Sequence, residues 1–193
     1  MSAAPKYEGQ LPDRLGYAGL RMTADEFFEI GETQARYELI DGVVLMSPAP
    51  TPRHQELLQL LQEQAGQWRR SHAGARVIPD VDLQVGPKLV YRPDLALYAP
   101  GVLKSLPQRL TTPPQLVIEI LSPSTKALDL ITKRGDYERF GVAEYWVIDP
   151  DTANVRAWRR IGNELVEQTS QTDSIESVSL EGFTLDLKAL RGD

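Results

Sequence analysis

The chain predicts an α/β fold: a mixed sheet flanked by helices, opened by an N-terminal hairpin and closed by a C-terminal strand extension. Three observations carry that expectation. Short β-branched runs recur along the chain, two helical stripes sit between them, and 193 residues suffice for one full core but not comfortably for two.

Met1 to Leu20, rich in Pro, Gly and Ala, has no period of its own and reads as a loosely ordered arm, leaving 21–193 as a single domain. Thr23-Ala24-Asp25-Glu26 carries the Thr-x-x-Glu spacing of a capping box, so a short helix begins there and turns Phe27, Phe28 and Ile30 inward. Tyr37-Glu38-Leu39-Ile40 and Val43-Val44-Leu45-Met46 flank Asp41-Gly42, a strong signal for a tight hairpin. Thr51-Pro52 supplies an N-cap and a first-turn proline for a long helix. Its stripe of Leu57, Leu58, Leu60, Leu61, Ala65 and Trp68 runs to about Arg70, with Gln64 also on the core side.

Strands follow at Arg76 to Val85, Leu89 to Tyr98, Gln115 to Leu121 and Glu144 to Ile148, and a second helix from Thr125 to Phe140 stops at Gly141. Asp149-Pro150-Asp151 reads as turn chemistry. Val155 to Ile161, Leu165 to Thr169 and Ser177 to Leu180 then form a closing meander. Trp146, beside Tyr145 in its strand, is core, and His72 at the far end of the long helix is surface.

A hydrophobic content of 41% with 25% charged residues is that of an ordinary globular chain. With no cysteine, disulfides and thiolate metal sites are excluded. The first twenty residues lack the apolar stretch of a signal peptide and no run is long enough to span a bilayer, so no membrane role and a cytoplasmic location are expected. A net charge of −6 argues against all-over attraction to nucleic acid. Lys126, Lys133, Arg134, Arg139, Arg156, Arg159 and Arg160 nevertheless crowd the latter half and leave room for a local basic wall. Phosphate loops, Ser-His-Asp order and zinc spacings are missing.

Glu119 is the most informative residue. It lies inside Leu116-Val117-Ile118-Glu119-Ile120-Leu121, and an ionised acid in such a strand costs several kcal/mol unless a cation or donors meet it. Asp94, in a second apolar strand, makes a shared metal ion the economical compensation. The rival account ties Glu119 to a structural Arg or Lys. Pro79-Asp80 is a second Pro-Asp pair, but Asp82 close by makes it look like a turn.

Pro93-Asp94, then Glu119, then a helix carrying Lys133 resembles the PD-(D/E)XK nuclease superfamily. The strings Tyr37 to Gly42, Val117 to Thr125 and Gly141 to Pro150 are similar, in order, to the Uma-type family of restriction-endonuclease-like proteins. The resemblance implies a restriction-endonuclease-like fold and hydrolysis of nucleic-acid phosphodiesters, DNA favoured. It also implies Mg2+ or Mn2+ held by Asp94, Glu119 and the main-chain carbonyl of Ile120. Homodimers are common among such enzymes, and no spacing in this chain decides the matter.

The chain departs from the superfamily where Leu121 replaces the expected lysine. Lys133, four residues before Tyr137, matches a lysine of the Uma-type family and is the expected substitute, with Lys126 as its rival. Asp129 and Lys133 are also spaced as an ordinary exposed helix pair. The resemblance suggests Glu38 as a third acid near the metal, its bland alternative being a sheet-edge residue. His54, in the first turn of the long helix, could contact phosphate or water, or hold a structural place. Two other classes stay open: a non-catalytic nuclease-fold module for protein or DNA binding, and a metal-free acid and base pair of the glycosidase kind.

Overall fold

The computed structural model describes residues 16–31, 33–122, 125–168 and 173–192. Of the expected arm, Met1 to Leu20, residues 1–15 lie outside the described residues. Its last residues are tied down: Gly19 N–H donates to Val44 O, and Val44 N–H to Leu20 O, each at 2.8 Å.

A short helix, α1 (Ala24–Glu29), begins at the expected capping box, with Thr23 and Glu26 bonded reciprocally. Strands β1 (Tyr37–Ile40) and β2 (Val43–Met46) pair around Asp41 and Gly42, both at positive φ as a two-residue hairpin turn requires. Helix α2 (Pro52–Ser71) is capped by Thr51 and buries Leu57, Leu58, Leu61, Ala65 and Trp68.

The two long central strands are each broken in two. Arg76 to Val85 divides into β3 (Arg76–Pro79) and β4 (Leu83–Gly86) at Asp80, whose φ of 49° lies in the left-handed region that Asp tolerates. Leu89 to Tyr98 divides into β5 (Leu89–Tyr91) and β6 (Leu95–Tyr98) around Pro93-Asp94. Each break sends its halves into different sheets. One sheet has the order β2-β1-β5-β4. The other, with β7 (Leu116–Ile120), β8 (Glu144–Ile148), β9 (Val155–Ile161) and β10 (Glu164–Glu167), has the order β10-β9-β8-β7-β6-β3. Only β7 and β8 run parallel in it, which makes it mixed.

The crossover between β7 and β8 is helical, as expected, but irregular. A π-helical segment, Leu128–Lys133, passes directly into α3 (Arg134–Phe140), which ends on Gly141 at φ 102°. Alternation along β7 divides the core. Leu116, Ile118 and Ile120 join the α2 side with Trp146 and Phe183, whereas Val117 joins Tyr137, Tyr145 and Trp158 on the α3 side. Trp146 is core, stacked 5.9 Å from Phe183.

The C-terminal extension differs from expectation. Ser177 to Leu180 is a bend and not a strand; Ser177 and Ser179 turn their hydroxyls onto the buried carboxylate of Glu144. Strands β11 (Ser174–Glu176) and β12 (Thr184–Asp186) flank it and lead into α4 (Leu187–Arg191). Gln64 is half-buried and clamps the backbone of Asp186 instead of entering the core. His72 is half-buried as well, stacked 4.9 Å from Trp68 rather than free on the surface. Among the described residues no helix is long and apolar enough to cross a membrane.

Candidate active site

The break at Pro93-Asp94 sets Asp94 one residue before β6, not within a strand as its neighbours suggested. Because β6 pairs antiparallel with β7, Leu95 opposite Ile118, Asp94 falls beside Glu119. The two are bonded crosswise: Asp94 N–H donates to Glu119 Oε2 at 3.3 Å, and Ile120 N–H donates to Asp94 Oδ2 at 2.7 Å. Both acids are nearly fully buried.

Lys133 reaches Glu119 from the π-helical segment. Its Nζ lies 3.1 Å from Glu119 Oε1, 2.9 Å from Glu38 Oε1 and 3.3 Å from Asp129 Oδ1. The Asp129–Lys133 pair therefore exists, but it is buried and not an exposed helix contact. Glu38, on β1, also accepts from Arg92 N–H at 2.9 Å, which ties the first hairpin to the connector between β5 and β6. His54 comes from the first turn of α2, its Nε2 3.3 Å from Asp94 Oδ2. His54 Nδ1 is buried without a hydrogen-bond partner among the described residues. The expected Asp94, Glu119, Ile120, Glu38, His54 and Lys133 all line one cavity of about 420 Å3. Lys126 is exposed and does not.

The electrostatics follow from crowding. Burial pushes the Glu119 carboxyl well above the usual carboxylate range; Asp129, Asp94 and Glu38 push the same way, and Lys133 opposes them. Burial also works against the Lys133 ammonium, but Glu119 and Glu38 reverse this and hold it well above the ordinary lysine value. Burial raises Asp129, with Lys133 opposing. Four carboxyl groups, Glu38, Asp94, Glu119 and Asp129, thus face one lysine and one histidine.

That imbalance suits a divalent cation. Among the described residues no three His, Cys, Asp or Glu side chains form a ready-made cage, but magnesium binds through one or two carboxylates with water completing its shell. Asp94 contributes to that fit. Its hydrogen bond from Ile120 N–H and its contact with His54 both fall on Oδ2.

Several residues of the site were given no role in it by the sequence, Tyr137 serving there only to mark the position of Lys133. Tyr137 donates to Glu119 Oε1 at 3.2 Å, Tyr145 to Asp129 O at 3.0 Å, and Thr125 to Asp129 Oδ2 at 2.7 Å. Arg36, Arg53 and Arg92 line the cavity. The basic wall expected from the latter half is not at this site: apart from Lys133, none of its residues lines the cavity. Arg139 is paired with Asp136, Arg156 with Glu167, and Arg160 is spent on main-chain carbonyls.

A family model, Uma2, described as "Putative restriction endonuclease", matches residues 24–188 and so takes in every element from α1 into α4. The chain belongs to the Uma2 family. The Uma2 match spans all six expected site residues, and the fold is found in a solved structure. A crystal structure titled as a putative nuclease belonging to DUF820, from Anabaena variabilis ATCC 29413, superposes with a TM-score of 0.75 at 20% identity. The match covers 89% of this chain and 98% of that one. Among curated proteins the Uma2 chain has no match.

Proposed function

We propose that this chain is a metal-dependent endonuclease that hydrolyses phosphodiester bonds of nucleic acid, with DNA the favoured substrate. The observation that supports it most is the apposition of Asp94 and Glu119 on neighbouring strands of a cavity with an excess of carboxyl groups. The family description points to the same class of reaction.

In this reading Asp94, Glu119 and the main-chain carbonyl of Ile120 hold Mg2+ or Mn2+. The bound ion supplies acidified water and neutralises charge at the scissile phosphate. The remaining work falls to the chain's own side chains. Lys133 keeps its proton and sets a fixed positive charge beside Glu119, where charge builds up on the phosphate oxygens. Glu38 and Asp129 hold its ammonium from the other sides, so that it stays in place between turnovers. His54 abuts Asp94 through Nε2 on the cavity wall, the place from which it would meet water or a phosphate oxygen.

One observation favours a second reading, a non-cleaving module. Lys133 already neutralises Glu119 from within the protein, as a structural buried pair would. Calorimetry with manganese, run alongside cleavage of plasmid DNA, separates the two. Heat of binding that vanishes in Asp94→Asn and Glu119→Gln, with cleavage lost in both, supports the enzyme. No heat at millimolar metal and no cleavage supports the module.

A further inference from the structure

Two arginines of the cavity remain unexplained by the chemistry at Asp94 and Glu119. Arg36 stands just before β1, and Arg92 lies two residues before Asp94. Both are held by one turn, the segment between β3 and β4. Arg36 Nη2 meets Asp80 Oδ2 at 2.6 Å, and Arg92 Nε meets Asp82 Oδ1 at 2.8 Å. The main chain ties the same turn to the site, since Asp80 N–H donates to Asp94 O at 3.4 Å.

Each acid occupies only one edge of its guanidinium. Arg36 Nε and Nη1, and Arg92 Nη1 and Nη2, have no acceptor among the described residues. The side chains are 33% and 26% exposed, so these edges are wet and reachable. Arg53 provides the contrast. Its Nε meets Pro150 O at 3.1 Å, Nη1 meets Glu56 at 2.7 Å and Nη2 meets Leu190 O at 2.8 Å, so all three nitrogens are spent on the protein itself.

An arginine whose orientation is fixed by a carboxylate, with one fork left open, loses little freedom when it accepts a phosphate. Two such forks on the wall of one cavity suit a ligand with regularly spaced singly charged phosphates.

We propose that Arg36 and Arg92, pinned by Asp80 and Asp82, form a clamp for the phosphodiester backbone beside the scissile position. This rests on the nuclease reading and adds to it the site that grips the strand. The clamp sets affinity and register without reading base sequence, because phosphate contacts position a duplex but do not identify it.

The test is fluorescence anisotropy of a labelled DNA duplex, and in parallel a labelled single strand, with the full chain in chelator over a range of salt. For Arg36→Ala and for Arg92→Ala the expected result is about tenfold weaker binding. The slope of log affinity against log salt should shrink by about 0.9 per substitution on duplex and about 0.7 on single strand. Arg36→Lys and Arg92→Lys should restore most of the slope but not the affinity, since charge survives and the fork does not; they also keep the test sound if an alanine variant folds poorly. Parent binding with unchanged affinity and slope in all four variants overturns the clamp and leaves the nuclease reading standing. A parent that binds neither nucleic acid overturns both.

Discussion

Asp94 and Glu119 each anchor the other's strand: the Asp94 amide donates to Glu119 Oε2, and the amide after Glu119 donates to Asp94 Oδ2. Two acids that would repel in isolation are thereby held side by side by main-chain donors that need no counter-ion. The arrangement makes their roles separable by experiment, because the hydrogen bonds require an acceptor but not a charge.

Asp94→Asn keeps a side-chain oxygen for Ile120 N–H and removes the negative charge. The fold should persist, with a melting temperature within a few degrees of the parent's, while cleavage falls by at least about 100-fold. Melting curves and plasmid cleavage check the two halves, and unchanged cleavage would show that the carboxylate is not used.

Lys133→Met leaves Glu119, Glu38 and Asp129 buried without their cation, and breaking a buried pair on one side costs about 3–5 kcal/mol. The loss has a definite pH dependence. Glu119 has a raised folded pKa, so its burial costs nothing below the ordinary value of 4.5, where both states are protonated, and the cost grows as pH rises from there until it is complete above the folded pKa. In the parent, Lys133 offsets this until pH exceeds its own raised value. Urea denaturation in chelator should therefore find the variant close to the parent in mild acid and far less stable at neutral pH. An equal loss at both would contradict the electrostatic origin.

Tyr137→Phe removes one donor from Glu119 Oε1 and leaves Lys133 on the same atom. A cost of about 1 kcal/mol is expected, because the acceptor keeps its charged partner. Denaturation of the variant checks this, and a loss as large as that of Lys133→Met would make the tyrosine the principal support.

Gly141→Ala forces a Cβ into the left-handed conformation that ends α3 and brings it 3.6 Å from Pro113. About 1 kcal/mol of stability should be lost, with metal binding intact. Thermal melts and calorimetry on one preparation read both.

Local features were legible in the sequence because their causes are local. Thr23, Thr51, Gly141 and the Asp41-Gly42 turn each bind or bend their own neighbourhood, and each does so where expected. Glu119 was legible for a different reason: one acid in an apolar strand needs a partner. What failed depended on distant contacts. The turn-like look of Pro79-Asp80 agrees with the structure, but that the breaks there and at Pro93-Asp94 send each half into a different sheet is something alternating apolar residues cannot express. Val178 and Leu180 alternate like a strand, yet their serine neighbours serve Glu144 and make a bend. The spacing of Asp129 and Lys133 offers an exposed helix pair only as the rival account of Lys133, and the π-helical segment instead buries both among the site's acids.

The arginines show the same division. A count of Lys and Arg placed the positive charge in the latter half of the chain, but apart from Lys133 none of it lines the cavity, and Arg139, Arg156 and Arg160 are engaged by nearby acids or carbonyls elsewhere. Arg36 and Arg92 stand among apolar and acidic neighbours in sequence. At the cavity wall the β3–β4 turn meets them with Asp80 and Asp82.

The most direct test of the central claim is a crystal of the chain soaked in manganese and measured at its anomalous edge. The account predicts one peak with a carboxylate oxygen of Asp94 and one of Glu119 each within about 2.0–2.6 Å. A map with no peak between them, Lys133 still seated on Glu119, would contradict it.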